Sequence, residues 1–308
     1  MFLGITLLVF GGAVILSRRN LRLGRGDRRG AVRLGAYFAA VSLLTDVLAM
    51  HNAADLLPAG GLPSLGAAFV PYALWNGVLV WILYVAIEPH VRRVWPETLI
   101  GWSRLLGGRL RDPLIGRDIL IGALGGLVLA HLSHLNFLVP KWLGLPPPIP
   151  LSTLAFLSGG RFTLSALAFP FLDAVGGGVE ALFVLFLLTV VLRRRGPATV
   201  AMAVLGIAVV PPFGNGNPIV YTVVSAVFSV VTVVLLVRFG LLPMIVAALF
   251  MDLLGGVAFS LDSSVPYVFS SYLVLGALVA LAAYGFHTAL AGQRIFDAGL
   301  LKDEPARP

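Results

Sequence analysis

Cysteine is absent from this chain of 308 residues, and charged residues make up only 12% of it. The lack of cysteine excludes disulfides, thiolate metal sites and cysteine nucleophiles. Charged residues are about half as frequent as the roughly 25% of a soluble domain, which leaves too little polar surface to face water. Hydrophobic residues make up 58%, and the mean hydropathy is +0.96. This composition excludes a soluble enzyme and a disordered tail, and it predicts an all-α membrane protein.

Long apolar runs recur along the whole chain. A transmembrane helix needs about 20 apolar residues, whereas the strands of a membrane barrel have about 10 residues of alternating polarity. The runs here are apolar on both sides, which favours helices. They predict one transmembrane domain, residues 1–308, built as a polytopic helix bundle. Its nine predicted spans are 1–17, 34–50, 69–87, 119–139, 176–192, 198–212, 219–237, 241–260 and 266–287.

Arginine and lysine are unevenly distributed among the predicted loops. All of the 22 except Lys141 and Arg161 fall on one side of the predicted bundle. Because loops rich in these residues stay in the cytoplasm, we expect a bacterial inner-membrane protein with its N-terminus outside and its C-terminus in the cytoplasm. Topology then accounts for the formal net charge of +8, and no nucleic-acid partner is predicted. A chain that begins outside is expected to be the C-terminal part of a longer protein.

Residues 151–174 do not fit the alternation of spans. They are apolar enough to cross the membrane, but a crossing there would place Arg193, Arg194 and Arg195 outside. A Gly-Gly-Arg run at 159–161 and Pro170 interrupt the segment. Irregular backbone at membrane depth is tolerated where protein or a wet cavity covers it. We therefore predict a re-entrant or interfacial pair of short helices on the outer side.

Two basic loops, 18–33 and 88–118, are predicted on the cytoplasmic side. The first has seven arginines against Asp27, and we expect it to fix the topology at an anionic inner leaflet or to contact a partner domain or a lipid headgroup. In the second, Pro89 is expected to bend or end the third span.

Residues 98–110 of the second loop predict an interfacial amphipathic helix. Trp95 and Trp102 are expected at headgroup level, and Asp118 is expected to cap the fourth span. The interleaving of acidic and basic residues near 109–118 predicts local ion pairs. The candidate cytoplasmic motif comprises Glu88, Pro89, Arg92, Arg93, Trp95, Pro96, Trp102, Ser103, Arg104, Arg109, Arg111, Asp112, Pro113, Gly116, Arg117 and Asp118.

Three stretches, residues 17–34, 81–122 and 284–296, resemble the C-terminal membrane region of acidobacterial-type serine/threonine protein kinases. The longest of them contains Glu-Pro-His-Val-Arg-Arg-Val-Trp-Pro-Glu and Arg-Asp-Pro-Leu-Ile-Gly-Arg-Asp. The resemblance implies a receptor-type membrane module that anchors, and senses for, a cytoplasmic kinase domain in cis or in trans. The chain itself lacks His-Arg-Asp, Asp-Phe-Gly and Val-Ala-Ile-Lys motifs. No catalytic residue and no cofactor are therefore predicted.

Ionisable residues inside predicted spans each cost about 2.5–3.5 kcal/mol on insertion scales, so each calls for a reason. The candidates are Asp46, His131, His134 and Asp252. The two histidines share a helix face, and with Asp46 or Asp252 they would make a metal site or a proton relay. The simpler interpretation is hydrogen bonding to neighbouring helices or to water, and no metal ligand set is assigned.

The same intramembrane residues leave a second function open, that of a small transporter or channel. Asp252 precedes two glycines that allow close helix approach, so it is either a buried hydrogen-bonding group or part of an ion or substrate pathway. An intramembrane enzyme is a third and weaker interpretation. Intramembrane proteases of the type suggested by Glu88-x-x-x-Arg92 need paired glutamates, and Glu88 has no second glutamate beside it.

Overall fold

The computed structural model describes residues 2–49, 62–146, 160–209, 217–256 and 268–291, with residues 259, 260, 262, 264 and 265. These residues form helices and no strand, as predicted for an all-α membrane protein. The helices are α1 (Phe2–Arg22), α2 (Arg28–Ala49), α3 (Leu62–Val94), α4 (Pro96–Leu106), α5 (Pro113–Trp142), α6 (Gly160–Leu192), α7 (Arg195–Val209), α8 (Pro218–Val234), α9 (Leu241–Gly256) and α10 (Val268–Ala289). A π-helical turn, Leu235–Phe239, extends α8.

Among the described residues, six helices are long and apolar enough to cross a membrane, so the predicted number of nine spans is wrong. The six segments are Arg28–Ala49, Phe69–Val94, Pro113–Trp142, Gly160–Leu192, Pro218–Phe239 and Val268–Ala289. Two predicted spans became α7 and α9, of 15 and 16 residues, which is short of the about 20 that cross the hydrocarbon layer. The third predicted span that is not among the six corresponds to α1. The fold still fits a multi-pass membrane protein.

The prediction of a pair of short helices at residues 151–174 is wrong for the part of this segment that the structure describes. Residues 160–174 form the first half of α6, a single helix of 33 residues. Pro170 lies inside this helix and is buried. A membrane helix tolerates proline when neighbouring helices cover the freed backbone groups, so Pro170 does not have to divide the segment. Residues 151–159 lie outside the described part of the chain.

The long helix α6 connects two groups of helices. On one side it contacts α2 and α3, which pack on each other and, through α3, on α1. On the other side it contacts α7 and α9, and α9 packs on α5, with α8 and α10 also against α5. Glycines allow the closest crossings: a Cβ on Gly77 of α3 would lie 2.5 Å from the Gly35 carbonyl oxygen of α2. Small residues of this kind let membrane helices approach each other at backbone distance.

The predicted basic loops lie together at one end of the bundle, which we call the basic end. The Asp27 backbone N–H donates to Glu88 of α3, and Arg33 of α2 donates to the Leu106 carbonyl of α4. The loops are shorter than predicted, because residues 18–22, 28–33, 88–94 and 113–118 belong to α1, α2, α3 and α5. The predicted partition of arginine therefore corresponds to a real convergence of helix ends.

Local sequence sets where two of these helices begin. Asp27 accepts the Gly30 N–H at 2.8 Å at the start of α2, and Asp112 accepts the Leu114 N–H at 3.0 Å at the start of α5. Side-chain oxygens at this position satisfy amides that have no partner within the helix. The prediction that Asp118 caps this helix is wrong, because Asp118 lies well inside α5.

Candidate functional site

Pro89 lies inside α3, which continues beyond it to Val94, so the third span does not end at the proline. Proline has no N–H, and the carbonyl of Val85, four residues earlier, therefore lacks its helical donor. The side chain of Asn20, which is 2% exposed, supplies the replacement. Its Nδ2 donates to the carbonyls of Val85 and Ala86, both at 3.0 Å. Asn20, which the sequence analysis did not select, thus joins α1 to α3.

The Glu88 carboxylate is also buried at this junction, with 2% of the residue exposed. Its Oε1 lies 2.7 Å from the Arg92 guanidinium, and its Oε2 accepts the backbone N–H of Asp27 at 3.1 Å. A buried carboxylate is stable only when charges and hydrogen bonds replace its water. Glu88 therefore has a structural reason to lie beside Arg92 and the α1–α2 turn, and it needs no second glutamate.

A glycine in the α1–α2 turn completes the contact with α3. Gly26 has φ +102°, which side-chain-bearing residues rarely adopt, and a Cβ there would lie 3.1 Å from the Pro89 ring. The turn can therefore lie directly on the proline. We call the contacts among Asn20, Gly26, Asp27, Glu88 and Pro89 the rim latch. It unites the two predicted basic loops.

The apolar face of α4 is covered by protein, which corrects the predicted interfacial helix over 98–110. Trp95, Leu99 and Trp102 are each only 2–3% exposed. Helix α4 packs on α3, α5 and α9, and its Gly101 lies directly against the Asp118 carboxylate. An amphipathic pattern shows that a helix has an apolar face, but it does not say whether lipid or protein covers it. The two tryptophans are therefore core residues of the basic end.

Asp112 joins the end of α4 to the start of α5. Its Oδ2 lies 2.6 Å from the Arg104 guanidinium, and its Oδ1 accepts the Leu114 N–H. The small loss of solvent raises the pKa of Asp112, but the Leu114 N–H and the Arg104 charge outweigh it, so the pKa lies below its usual range. Asp112 is thus ionised at neutral pH and fixes the corner between the two helices.

Asp118 and Arg117 confirm that local ion pairs form in this part of the sequence. The Asp118 Oδ1 lies 3.0 Å from the Arg117 guanidinium, which is itself largely exposed. Asp118 is 4% exposed and lies beneath Gly101 of α4. The pair therefore holds a buried carboxylate at the contact between α4 and α5 with its cation turned outward.

Arg195, a second residue that the sequence analysis did not select, connects the start of α7 to α4. Its guanidinium lies 5.1 Å from the centre of the Trp95 ring and 3.6 Å from the Glu97 carboxylate. A cation over an indole ring is an attractive contact. Because α7 follows α6 directly, the end of α6 is linked to the basic end through Arg195.

The remaining residues of the predicted motif divide into structural and exposed ones. Pro96 and Pro113 are the first residues of α4 and α5, where proline loses no helical hydrogen bond. Gly116 packs against the backbone of α10 at Gly285 and Ala289, and Ser103 is half-buried. The exposed residues, whose side chains face away from the bundle, are Arg93, Arg109 and Arg111.

Two cavities lie in the opposite half of the bundle and share lining residues of α6. One, of about 390 Å³, lies between α5, α6 and α9 and is lined by Asp173 and Asp252. The other, of about 310 Å³, lies between α2, α3 and α6 and is lined by Asp46, Asp173 and Glu180. Asp173 thus belongs to both cavities, and it shares the first of them with Asp252. Two adjacent carboxyl groups can share one proton.

Asp173 was not selected from the sequence, although the signal was available: it is an ionisable residue in an apolar run. The predicted re-entrant segment ended next to it and hid its position near the middle of a continuous helix. The structure brings Asp252 together with Asp173. Asp46 lies on the other cavity.

The predicted histidine pair does not join these carboxylates. His131 and His134 are both exposed on α5. Each ring Nδ1 contacts the carbonyl four residues earlier in its own helix, at 2.7 and 2.6 Å. The described residues contain no group of three or more His, Asp or Glu side chains that would hold a metal ion. The simpler interpretation expected partners in neighbouring helices or water, whereas both of these carbonyls belong to α5 itself.

No protein-family model matches the chain, and no curated protein or solved structure is significantly similar to it.

Proposed function

We propose that the chain is the membrane module of a bacterial receptor-type serine/threonine protein kinase. It anchors, and senses for, a kinase domain in the cytoplasm, in cis or in trans. The rim latch carries the proposal. The two stretches that resemble kinase membrane regions, 17–34 and 81–122, contribute Asn20 and Asp27 on one side and Glu88 and Pro89 on the other to a single buried unit. A loop that only fixed topology would need its charges and not this fixed shape.

In this proposal the basic end faces the cytoplasm and transmits a change in helix packing. Helix α6 passes from the two cavities, at Asp173, to the α6–α7 turn, where the Arg195 guanidinium lies over the ring of Trp95, the residue before α4. A stimulus in the opposite half of the bundle would shift α6, and α4 would shift with it. The cytoplasmic kinase domain would then respond to the position of α4 and of the rim latch.

The first test examines the DNA upstream of and beside the gene. We expect an open reading frame that encodes His-Arg-Asp and Asp-Phe-Gly motifs, either in frame upstream of codon 1 or immediately beside the gene. That kinase is then expressed with the membrane module, and its autophosphorylation is measured in isolated membranes. Glu88→Gln, which weakens the rim latch, is expected to change the rate several-fold.

The matched control is Glu97→Gln, the same chemical change on an exposed side chain at the same end of the bundle. This variant is expected to keep the rate within about twofold, because exposed ion pairs contribute little. A gene with no kinase in frame or adjacent contradicts the proposal. Equal rates in wild type and Glu88→Gln would also contradict it.

A second candidate function is a small transporter or channel with a polar intramembrane site. The observation that favours it is Asp173, which lines both cavities near the middle of α6 and lies beside Asp252. Carboxylates inside a membrane bundle are expensive, and they commonly mark ion or proton pathways. In this reading the carboxyl pair would bind a proton or a small cation during transport.

The test of the second candidate is ion or proton flux into proteoliposomes. Asp252→Asn is expected to abolish flux if the carboxyl pair is the transport site. Asp262→Asn is the matched control, because Asp262 is an exposed acid outside the helices that hydrogen-bonds the Ser264 N–H. Flux that persists unchanged in Asp252→Asn rules out a transport role for the pair, and an absence of flux in wild-type vesicles leaves the receptor function as the better account.

A further inference from the structure

Residues 18–29, which we call the arginine turn, carry an unbalanced set of positive charges. Their six arginines are exposed and form no ion pair within the described part of the chain: Arg18, Arg19, Arg22, Arg25, Arg28 and Arg29. Two acids lie at the turn, and protein groups bind both of them. Asp27 accepts the Gly30 N–H, and both oxygens of Glu88 are used in the rim latch. The six arginines therefore outnumber Asp27, the one acid within the turn.

The backbone of the arginine turn is held in one conformation. At the end of α1, the Arg25 N–H donates to the Asn20 carbonyl at 3.0 Å and the Gly24 N–H to the Leu21 carbonyl at 3.2 Å. With Gly24 at φ +64°, these two bonds form a Schellman motif. Arg28 also donates to the Leu21 carbonyl at 2.7 Å. The rim latch then holds the turn on α3, so the backbone positions that carry the cations are fixed relative to one another.

Apolar side chains are exposed beside these cations. Leu23 within the turn is 50% exposed, and Val32, one turn into α2, is 59% exposed. The candidate span of α2 begins at Arg28, which puts the turn at the end of a membrane crossing. Exposed apolar residues next to arginines suit the boundary between acyl chains and headgroups. An acidic protein surface would match the charges and leave Leu23 and Val32 exposed.

We propose that the arginine turn is a binding site for the phosphate of an anionic phospholipid such as phosphatidylglycerol. Guanidinium groups bind phosphate with paired, charge-assisted hydrogen bonds. The site differs from general attraction to an anionic leaflet because the turn has a fixed shape. It goes beyond the proposed receptor function, and it stands whether or not a kinase is attached.

The test uses the full chain in nanodiscs of phosphatidylcholine with and without phosphatidylglycerol. Retained lipid is counted by native mass spectrometry, and its affinity is measured by titration. Arg22→Gln with Arg25→Gln is expected to weaken phosphatidylglycerol binding roughly thirtyfold, from the usual contribution of each arginine near an anionic surface. Wild-type binding is expected to weaken as salt is raised.

Two further variants separate a site from general attraction. Arg193→Gln with Arg194→Gln removes the same charge from exposed positions at the same end of the bundle, and it is expected to change the affinity less than threefold. Gly24→Val keeps all six arginines but strains the turn, since φ at this position is +64° and nothing else lies within 4 Å of its Cβ. It is expected to weaken binding about as much as losing one arginine does.

Three results would overturn the proposal. Equal losses in the two arginine pairs would show attraction by the whole basic end. Equal affinity for the two lipid mixtures would show that there is no anionic site. A photo-crosslinking residue at Leu23 that labels a protein, and not phospholipid, in native membranes would identify the arginine turn as a protein-docking surface. Because none of these measurements involves kinase activity, their failure is distinguishable from failure of the proposed function.

Discussion

At the basic end, a buried amide and a buried carboxylate bind backbone atoms of distant segments, whereas the carboxyl groups of the opposite half line cavities. Asn20 and Glu88 are each 2% exposed, and both bind partners more than 60 positions away in the chain. Asp173 and Asp252 lie beside about 390 Å³ of open space. The acidic residues of this bundle therefore occur in two settings: Glu88 is fixed by packing at the basic end, and Asp173 and Asp252 lie beside open space in the opposite half.

The largest difference in thermal stability is expected between two glycine-to-alanine variants, one at each end of the bundle. Gly116→Ala places a Cβ against the backbone of α10 at Gly285 and Ala289, which cannot move as a side chain can. Overpacking of this kind costs about 3 kcal/mol, and it should appear as a lower midpoint of thermal unfolding in detergent. Gly255→Ala beside the larger cavity, where no atom lies within 4 Å of a Cβ, is the control. Equal midpoints for the two variants would remove the distinction between the two ends.

A smaller effect is expected from the rim latch. Asn20→Leu leaves the Val85 carbonyl without a donor, which costs about 2 kcal/mol. Asn76→Leu is the matched change in the opposite half, where the side chain donates to Ser42 at 3.3 Å, and it should cost less than about 1 kcal/mol. Chemical unfolding of both variants measures the difference. A cost at Asn76 as large as that at Asn20 would contradict the comparison.

A still smaller effect is expected from Asp112. Because its pKa is lower in the folded protein, its charge stabilises the fold above the unfolded pKa of about 3.9. That contribution is lost as the pH falls through the lower, folded pKa. Asp112→Asn should reduce stability by less than about 1 kcal/mol at neutral pH and should flatten the loss of stability on acidification. A steeper acid transition in the variant than in wild type would oppose this assignment.

The smallest effect on stability is expected from Asp252→Asn. The side chain lies at a cavity and beside Asp173, and an asparagine can donate to the Asp173 carboxylate in its place. We expect a change within about 0.5 kcal/mol, measured by thermal unfolding in detergent. A large loss would mean that the carboxyl pair is part of the packing and not a site set apart for function.

The sequence was a good guide to the helical class and to the convergence of basic helix ends. Both follow from simple counts: apolar runs predict helices, and arginines mark one side. The number of spans did not follow, because the runs that became α7 and α9 end one turn or more short of a full crossing. Hydropathy alone does not fix where a helix ends.

The candidate site was predicted less well than the fold, and for identifiable reasons. Glu88, Pro89 and Arg92 were selected from the sequence as one motif, but their partner Asn20 was not, because the contact spans 65 positions. Pro89 contained the missing clue, since its absent N–H requires another donor for Val85. The burial of Trp102 was not predicted, because the amphipathic pattern of α4 does not show whether lipid or protein covers its apolar face.

The Val85 carbonyl, which Asn20 binds in place of a helical N–H, also bears on how the protein is made. Asn20 and Asp27 bind atoms of residues 85–88, so α1 and the turn before α2 lack these partners until the ribosome has passed residue 89. During that interval they have to persist in the insertion machinery or at its lipid boundary. We therefore expect chains stopped before residue 85 to be degraded quickly, and chains that extend beyond α3 to be the shortest that survive.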